Sequence, residues 1–170
     1  ALVMLSAAGL ERLKKTESSS FSCDLRKWWD IMEAYENGGH AYHATMPTDS
    51  LRRFRDIMKE TEEYGFEKVR AEQQELGDKV REMLVAKGIK SVASEGFQAP
   101  GVVVSYTDDK GIQTGKKFAE LGFQIAAGVP LQCDEPEDYQ SFRLGLFGLD
   151  KLHNIGRTVE KLEKALDAIY

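Results

Sequence analysis

Ser141–Gly148 reads SFRLGLFG, and its alternation decides the fold of the second half of the chain. Phe142, Leu144 and Leu146 fall on one face of an extended segment, and Arg143 and Gly145 fall on the other. Three large apolar side chains at period two predict a strand, Ser141–Leu146, with one face in a core. A guanidinium among such neighbours needs a partner. Glycine beside it lets a ligand or a second backbone approach closely.

Working outward, Lys151–Ile169 carries Ile155, Val159, Leu162, Leu166 and Ile169 at helical spacing and predicts a closing amphipathic helix. Upstream lies a loop, Gly128–Tyr139, with two prolines and four acids. Before it come a short strand at Phe123–Ala126, a helix over Gly111–Gly122, and strands at Ile89–Ala93 and Val102–Tyr106. A long helix over Phe66–Lys87 turns Val69, Leu76, Val80, Met83 and Leu84 inward and stops at Gly88. Helix, strand, strand, helix, strand, strand, helix is the order of a small, largely antiparallel sheet with helices on one face, an α+β unit.

The first sixty residues read differently. Ala1–Leu5 (ALVML) is a continuous apolar run and predicts a buried strand. Ser6 caps a short helix to about Lys15, and Asp24 caps a second that Asn37-Gly38-Gly39 stops. Thr48 or Asp49 opens a third, to about Tyr64, with Leu51, Phe54, Ile57 and Met58 on one stripe. One strand without a partner does not make a domain. We therefore expect residues 1–63 to close a larger domain and residues 64–170 to form a small C-terminal one.

The chain has 170 residues, 42% of them hydrophobic and 30% charged, with a net charge of −5. Residues 1–85 hold 13 basic and 16 acidic groups, and the rest hold 10 and 12. An even, mildly acidic balance without a basic patch argues against nucleic acid, and no apolar run is long enough to span a membrane. Cys23 and Cys133 stand in no spaced motif, which favours a reducing, cytoplasmic setting. Acidic neighbours of Cys133 disfavour a reactive thiolate.

Two places carry candidate chemistry. Arg143 suits a ligand carboxylate, which a guanidinium grips with two parallel hydrogen bonds. The competing reading is a structural ion pair with the acidic run Asp134–Asp138. The second place is HAYHAT, His40–Thr45, where Tyr42 and Thr45 put two hydroxyls three residues apart after a double glycine, suited to a phosphate. His40 and His43 have no nearby Cys, Asp or Glu to complete a metal set. His153 reads as a surface residue, and Trp28-Trp29 as core or interface. There is no glycine-rich phosphate loop, G-x-S-x-G elbow or H-E-x-x-H motif.

Taken in order, ALVMLS, AYHATMPTDSL, FQIAAGV and SFRLGLFG resemble the C-terminal half of a class V, fold-type I pyridoxal-phosphate-dependent aminotransferase of the alanine–glyoxylate and serine–glyoxylate group. The second segment matches its YHxTxP pattern and the last its RxGxxG pattern, about 100 residues apart. The resemblance implies that Arg143 grips the substrate α-carboxylate. It also implies that Tyr42 and Thr45 reach across a homodimer interface to the cofactor phosphate of the partner subunit. The substrates implied are a small amino acid of alanine or serine type and a 2-oxo acid such as glyoxylate or pyruvate. The lysine that carries the cofactor, the aspartate at its ring nitrogen and the ring-stacking residue are expected upstream, in an N-terminal remainder, so this chain alone is expected to be catalytically silent. A stand-alone module that dimerises or captures a small carboxylate is the alternative.

Overall fold

The computed structural model describes residues 2–170. The chain divides into two compact units, Ala1–Phe54 and Arg55–Tyr170.

The first unit holds helix α1 (Ala7–Leu13), helix α2 (Leu25–Glu36) and the start of α3 (Thr48–Tyr64). Local chemistry sets their ends. Ser6 Oγ accepts from the Gly9 N–H at 3.1 Å, and Asp24 Oδ1 accepts from the Lys27 N–H at 3.1 Å. Gly38 ends α2 at φ +79°, a conformation glycine adopts without strain. Ala1 lies outside the described residues, and over residues 2–5 the strand expected at Ala1–Leu5 does not form. There the chain is irregular and exposed, and no strand lies among the described residues of this unit to satisfy its backbone groups. Ile31 is buried on α2. α3 buries no residue, and its stripe of Leu51, Phe54, Ile57 and Met58 stays exposed.

The second unit has the α+β architecture. After Gly65, at φ +100°, comes α4 (Phe66–Ala86), then β1 (Val102–Tyr106), α5 (Lys110–Gln113), α6 (Lys116–Glu120), β2 (Ala126–Ala127), β3 (Ser141–Gly145), α7 (Leu149–Leu152) and α8 (Ile155–Ile169). The sheet order is β1-β3-β2 and both pairings are antiparallel. Val103, Phe142, Leu144 and Leu146 turn from it into a core built with Leu76, Val80 and Leu84 of α4, Phe118 of α6 and Leu162 and Leu166 of α8. The rings of Phe118 and Phe142 stand 5.9 Å apart. Lys87 ties the end of α4 to Asp167 and Glu163 on α8.

Four boundaries depart from the sequence reading. Ile89–Ala93 is reduced to a single antiparallel bridge, Ser91 to Ser105, because Ser91 Oγ bonds the Ala93 carbonyl at 2.9 Å and turns the chain aside. The helix expected over Gly111–Gly122 is broken at Gly115, φ +79°. Phe123 belongs to the end of α6, its N–H bonded to the Phe118 carbonyl at 2.9 Å, so the strand begins only at Ala126. The closing helix is two pieces, α8 restarting where Asn154 Oδ1 accepts from the Arg157 N–H at 2.9 Å.

Candidate functional site

Arg143 lies on the central strand of the sheet. The alternation that buries Phe142 and Leu144 puts it on the opposite face, where it is half-buried rather than enclosed. The desolvation cost expected for an arginine within an apolar core therefore does not arise. Nε donates to the carbonyl of Ala127 at 2.8 Å. No protein acceptor meets the terminal nitrogens among the described residues.

The ion pair weighed against a ligand does not form, and the loop shows why. Within Asp134–Asp138, Glu135 is spent on its own backbone. Its Oε1 accepts from the N–H groups of Leu131 at 2.6 Å and Gln132 at 2.8 Å, and its Oε2 from Cys133 at 2.8 Å. These bonds stabilise the ionised form and hold the Glu135 carboxyl down at about 2. Gln132 and Asp134 take the left-handed backbone, φ +59° and +62°, that this wrapping requires.

Two further features keep β2 and β1 where Arg143 needs them. Gly128 approaches β3 so closely that a Cβ there would stand 1.8 Å from the Ser141 carbonyl oxygen. Arg81 on α4, buried, donates to the carbonyls of Ala99 at 2.5 Å and Val102 at 3.1 Å. Burial pulls the pKa of its guanidinium below the ordinary arginine value.

In the first unit the structure brings Tyr42 and Thr45 together. The phenol and the Thr45 hydroxyl are 3.3 Å apart, and Tyr42 is 77% exposed. Its neighbour His43 turns inward, with Nε2 at 2.9 Å from the Phe21 carbonyl and its ring 4.2 Å from Phe21 and 5.2 Å from Trp28. The Trp28 indole N–H donates to the Ser22 carbonyl at 3.1 Å. His43 is thus a packed, hydrogen-bonded loop residue. His153 is exposed beside the Tyr64 ring.

Tyr42 and Thr45 belong to one compact unit and Arg143 to the other. A cavity of about 790 Å³ in the second unit, with Lys90, Tyr106, Tyr139 and Tyr170 in its lining, includes none of the three. The sequence reading missed the Ala127 carbonyl and the role of Glu135. The first carried no signal, since a backbone acceptor has no residue identity. The second had one, an acid after a run of small-loop residues with free N–H groups.

No family model and no curated protein matches the sequence. Solved structures do. Alanine–glyoxylate aminotransferase from Nostoc sp. superposes with a TM-score of 0.72 at 15% identity, over 95% of this chain and 42% of that one. An aspartate aminotransferase of subgroup IV from Thermus thermophilus gives 0.63 at 19% identity, over 98% and 44%. Ureidoglycine–glyoxylate aminotransferase from Bacillus subtilis gives 0.63 at 20% identity, over 94% and 40%. No helix among the described residues is long and apolar enough to cross a membrane. The chain spans somewhat under half the length of these aminotransferases, and over that span it has their fold.

Proposed function

We propose that the protein is the C-terminal part of a pyridoxal-phosphate-dependent aminotransferase. It moves an amino group between a small amino acid, of alanine or serine type, and a 2-oxo acid such as glyoxylate or pyruvate. The observation that carries this reading is the Arg143 fork: one edge tied to the Ala127 carbonyl, the terminal nitrogens without a protein acceptor. A carboxylate fills that fork end-on with two parallel charged hydrogen bonds. Holding the substrate there fixes the direction in which its Cα faces, and orientation of this kind supplies much of the rate in such reactions.

Tyr42 and Thr45 fit the phosphate of the cofactor, since two adjacent hydroxyls on an exposed loop match two phosphate oxygens. In our reading they serve the cofactor of a partner subunit in a homodimer. The cofactor, when bound, supplies the electron sink for the bonds broken at Cα. This chain's own residues bind and orient, and the lysine that moves the proton is assigned to the N-terminal remainder. Cys23 and Cys133, both exposed and unpaired, support a reducing, cytoplasmic setting.

The test is transamination by the whole protein loaded with pyridoxal phosphate, pairing alanine or serine with glyoxylate or pyruvate and following the new 2-oxo acid. Turnover with at least one pair is expected. Carboxylate binding with no transfer from any donor would instead establish a binding module.

A further inference from the structure

We propose that Ala126 sets the size of the ligand that Arg143 can hold; this rests on the reading of Arg143 as a carboxylate grip. Ala126 and Val104 are the direct cross-strand partners of Arg143, one on each side of the central strand. Directly opposed residues on an antiparallel sheet have Cβ atoms about 4.5–5.5 Å apart and share a face. The three therefore form one row across the outward face.

The row is asymmetric. Nε bonds to the carbonyl of Ala127, the residue after Ala126, so the guanidinium leans over β2 and away from Val104. The body of a ligand held by the terminal nitrogens then passes beside position 126. Ala126 is exposed and presents a single methyl group, so any side chain added there occupies the space of the ligand's own carbons. Charge sharpens the choice. The outward-facing neighbours Val102, Val104, Tyr106, Gly145 and Ala126 carry no charge, so Arg143 is the one cation that β1, β2 and β3 themselves place on this face.

The probes are formate, acetate, propionate and isobutyrate, titrated into the protein while the amide signals of Ala127 and Leu144 are followed by NMR. The variants are Ala126→Leu, Ala126→Val and Arg143→Lys, each checked for an unchanged fold by its spectrum. Formate affinity should be unchanged in both Ala126 variants. Isobutyrate affinity should fall roughly tenfold in Ala126→Val and further in Ala126→Leu, the scale on which a pocket discriminates added carbons. If Ala126 variants shift all four acids equally, or none, the size-setting role is wrong while the grip stands. If formate leaves the wild-type signals unmoved, or binds Arg143→Lys equally well, the grip itself is wrong.

Discussion

The Ala127 carbonyl accepts the Nε–H of Arg143 at 2.8 Å, a bond between an edge strand and the central one that fixes where the guanidinium points. Arg143→Lys keeps the charge and loses the fork. A charged hydrogen bond is worth about 1.5–3 kcal/mol, so kcat/KM of the whole enzyme should fall about ten- to a hundredfold. Melting temperature should hardly move, because Arg143 is half-exposed and pairs with no carboxylate. Measuring both on one sample decides the matter: a fall in stability with intact kinetics would return Arg143 to a structural role.

Tyr42→Phe and Thr45→Ala each remove one hydroxyl from an exposed loop. Neither supports a core, so thermal stability should hold. Cofactor affinity should weaken in each variant and further in the double variant, read by equilibrium dialysis of pyridoxal phosphate against the whole protein. Substrate KM should respond less than cofactor affinity. Unchanged cofactor binding in the double variant would remove the phosphate assignment.

Gly128→Ala puts a methyl group 1.8 Å from a backbone oxygen that has no rotamer to escape into. The strands must part. Overpacking of this kind costs about 1–3 kcal/mol, and more where backbone must move. The melting temperature should drop by several degrees, and carboxylate binding should weaken with it because the Ala127 acceptor shifts. A variant as stable as wild type would mean that the close approach at Gly128 relaxes freely.

Glu135 gives a pH dependence whose sign can be worked out. Its carboxyl titrates at about 2 in the folded chain against 4.5 unperturbed, because three backbone N–H groups bond the ionised form. A depressed acid stabilises the fold above its unfolded pKa, and that support is lost as pH falls through the folded one. The stability gap between wild type and Glu135→Gln should therefore be full at neutral pH and shrink between about 4.5 and 2. Denaturant midpoints across that range test it; a gap independent of pH would show the carboxylate bonds to be absent in solution.

Local features of this chain were legible before the structure. Ser6 and Asp24 cap their helices, and Gly38, Gly65 and Gly88 end theirs, because a cap or a left-handed turn is settled by residues three or four apart. The face carrying Arg143 was legible too, since period two is visible in five residues. What failed needed contacts distant in sequence. Ala1–Leu5 is apolar enough for a strand, but apolarity cannot supply a neighbour. Ile89–Ala93 looks extended until Ser91 bonds its own chain. The acidic run near Arg143 stood as a competing ion-pair partner beside a ligand carboxylate, and only the folded loop shows Glu135 turned toward its own amides. Tyr42 and Thr45 stood out by their spacing as two hydroxyls suited to a phosphate, whereas the Ala127 carbonyl that accepts from Arg143 depends on a register sixteen residues away.

The central place of β3 has a consequence for motion. Five rungs join it to β1 and two to β2, and its buried side chains are in the middle of the core. Amides on such a strand exchange with solvent only when the whole unit opens, whereas a two-residue edge strand opens by itself at small cost. The arginine thus sits on a strand paired from both sides, and its orienting acceptor sits on a short edge strand. Local opening of β2 alone would release the guanidinium from its acceptor and leave the arginine itself in place.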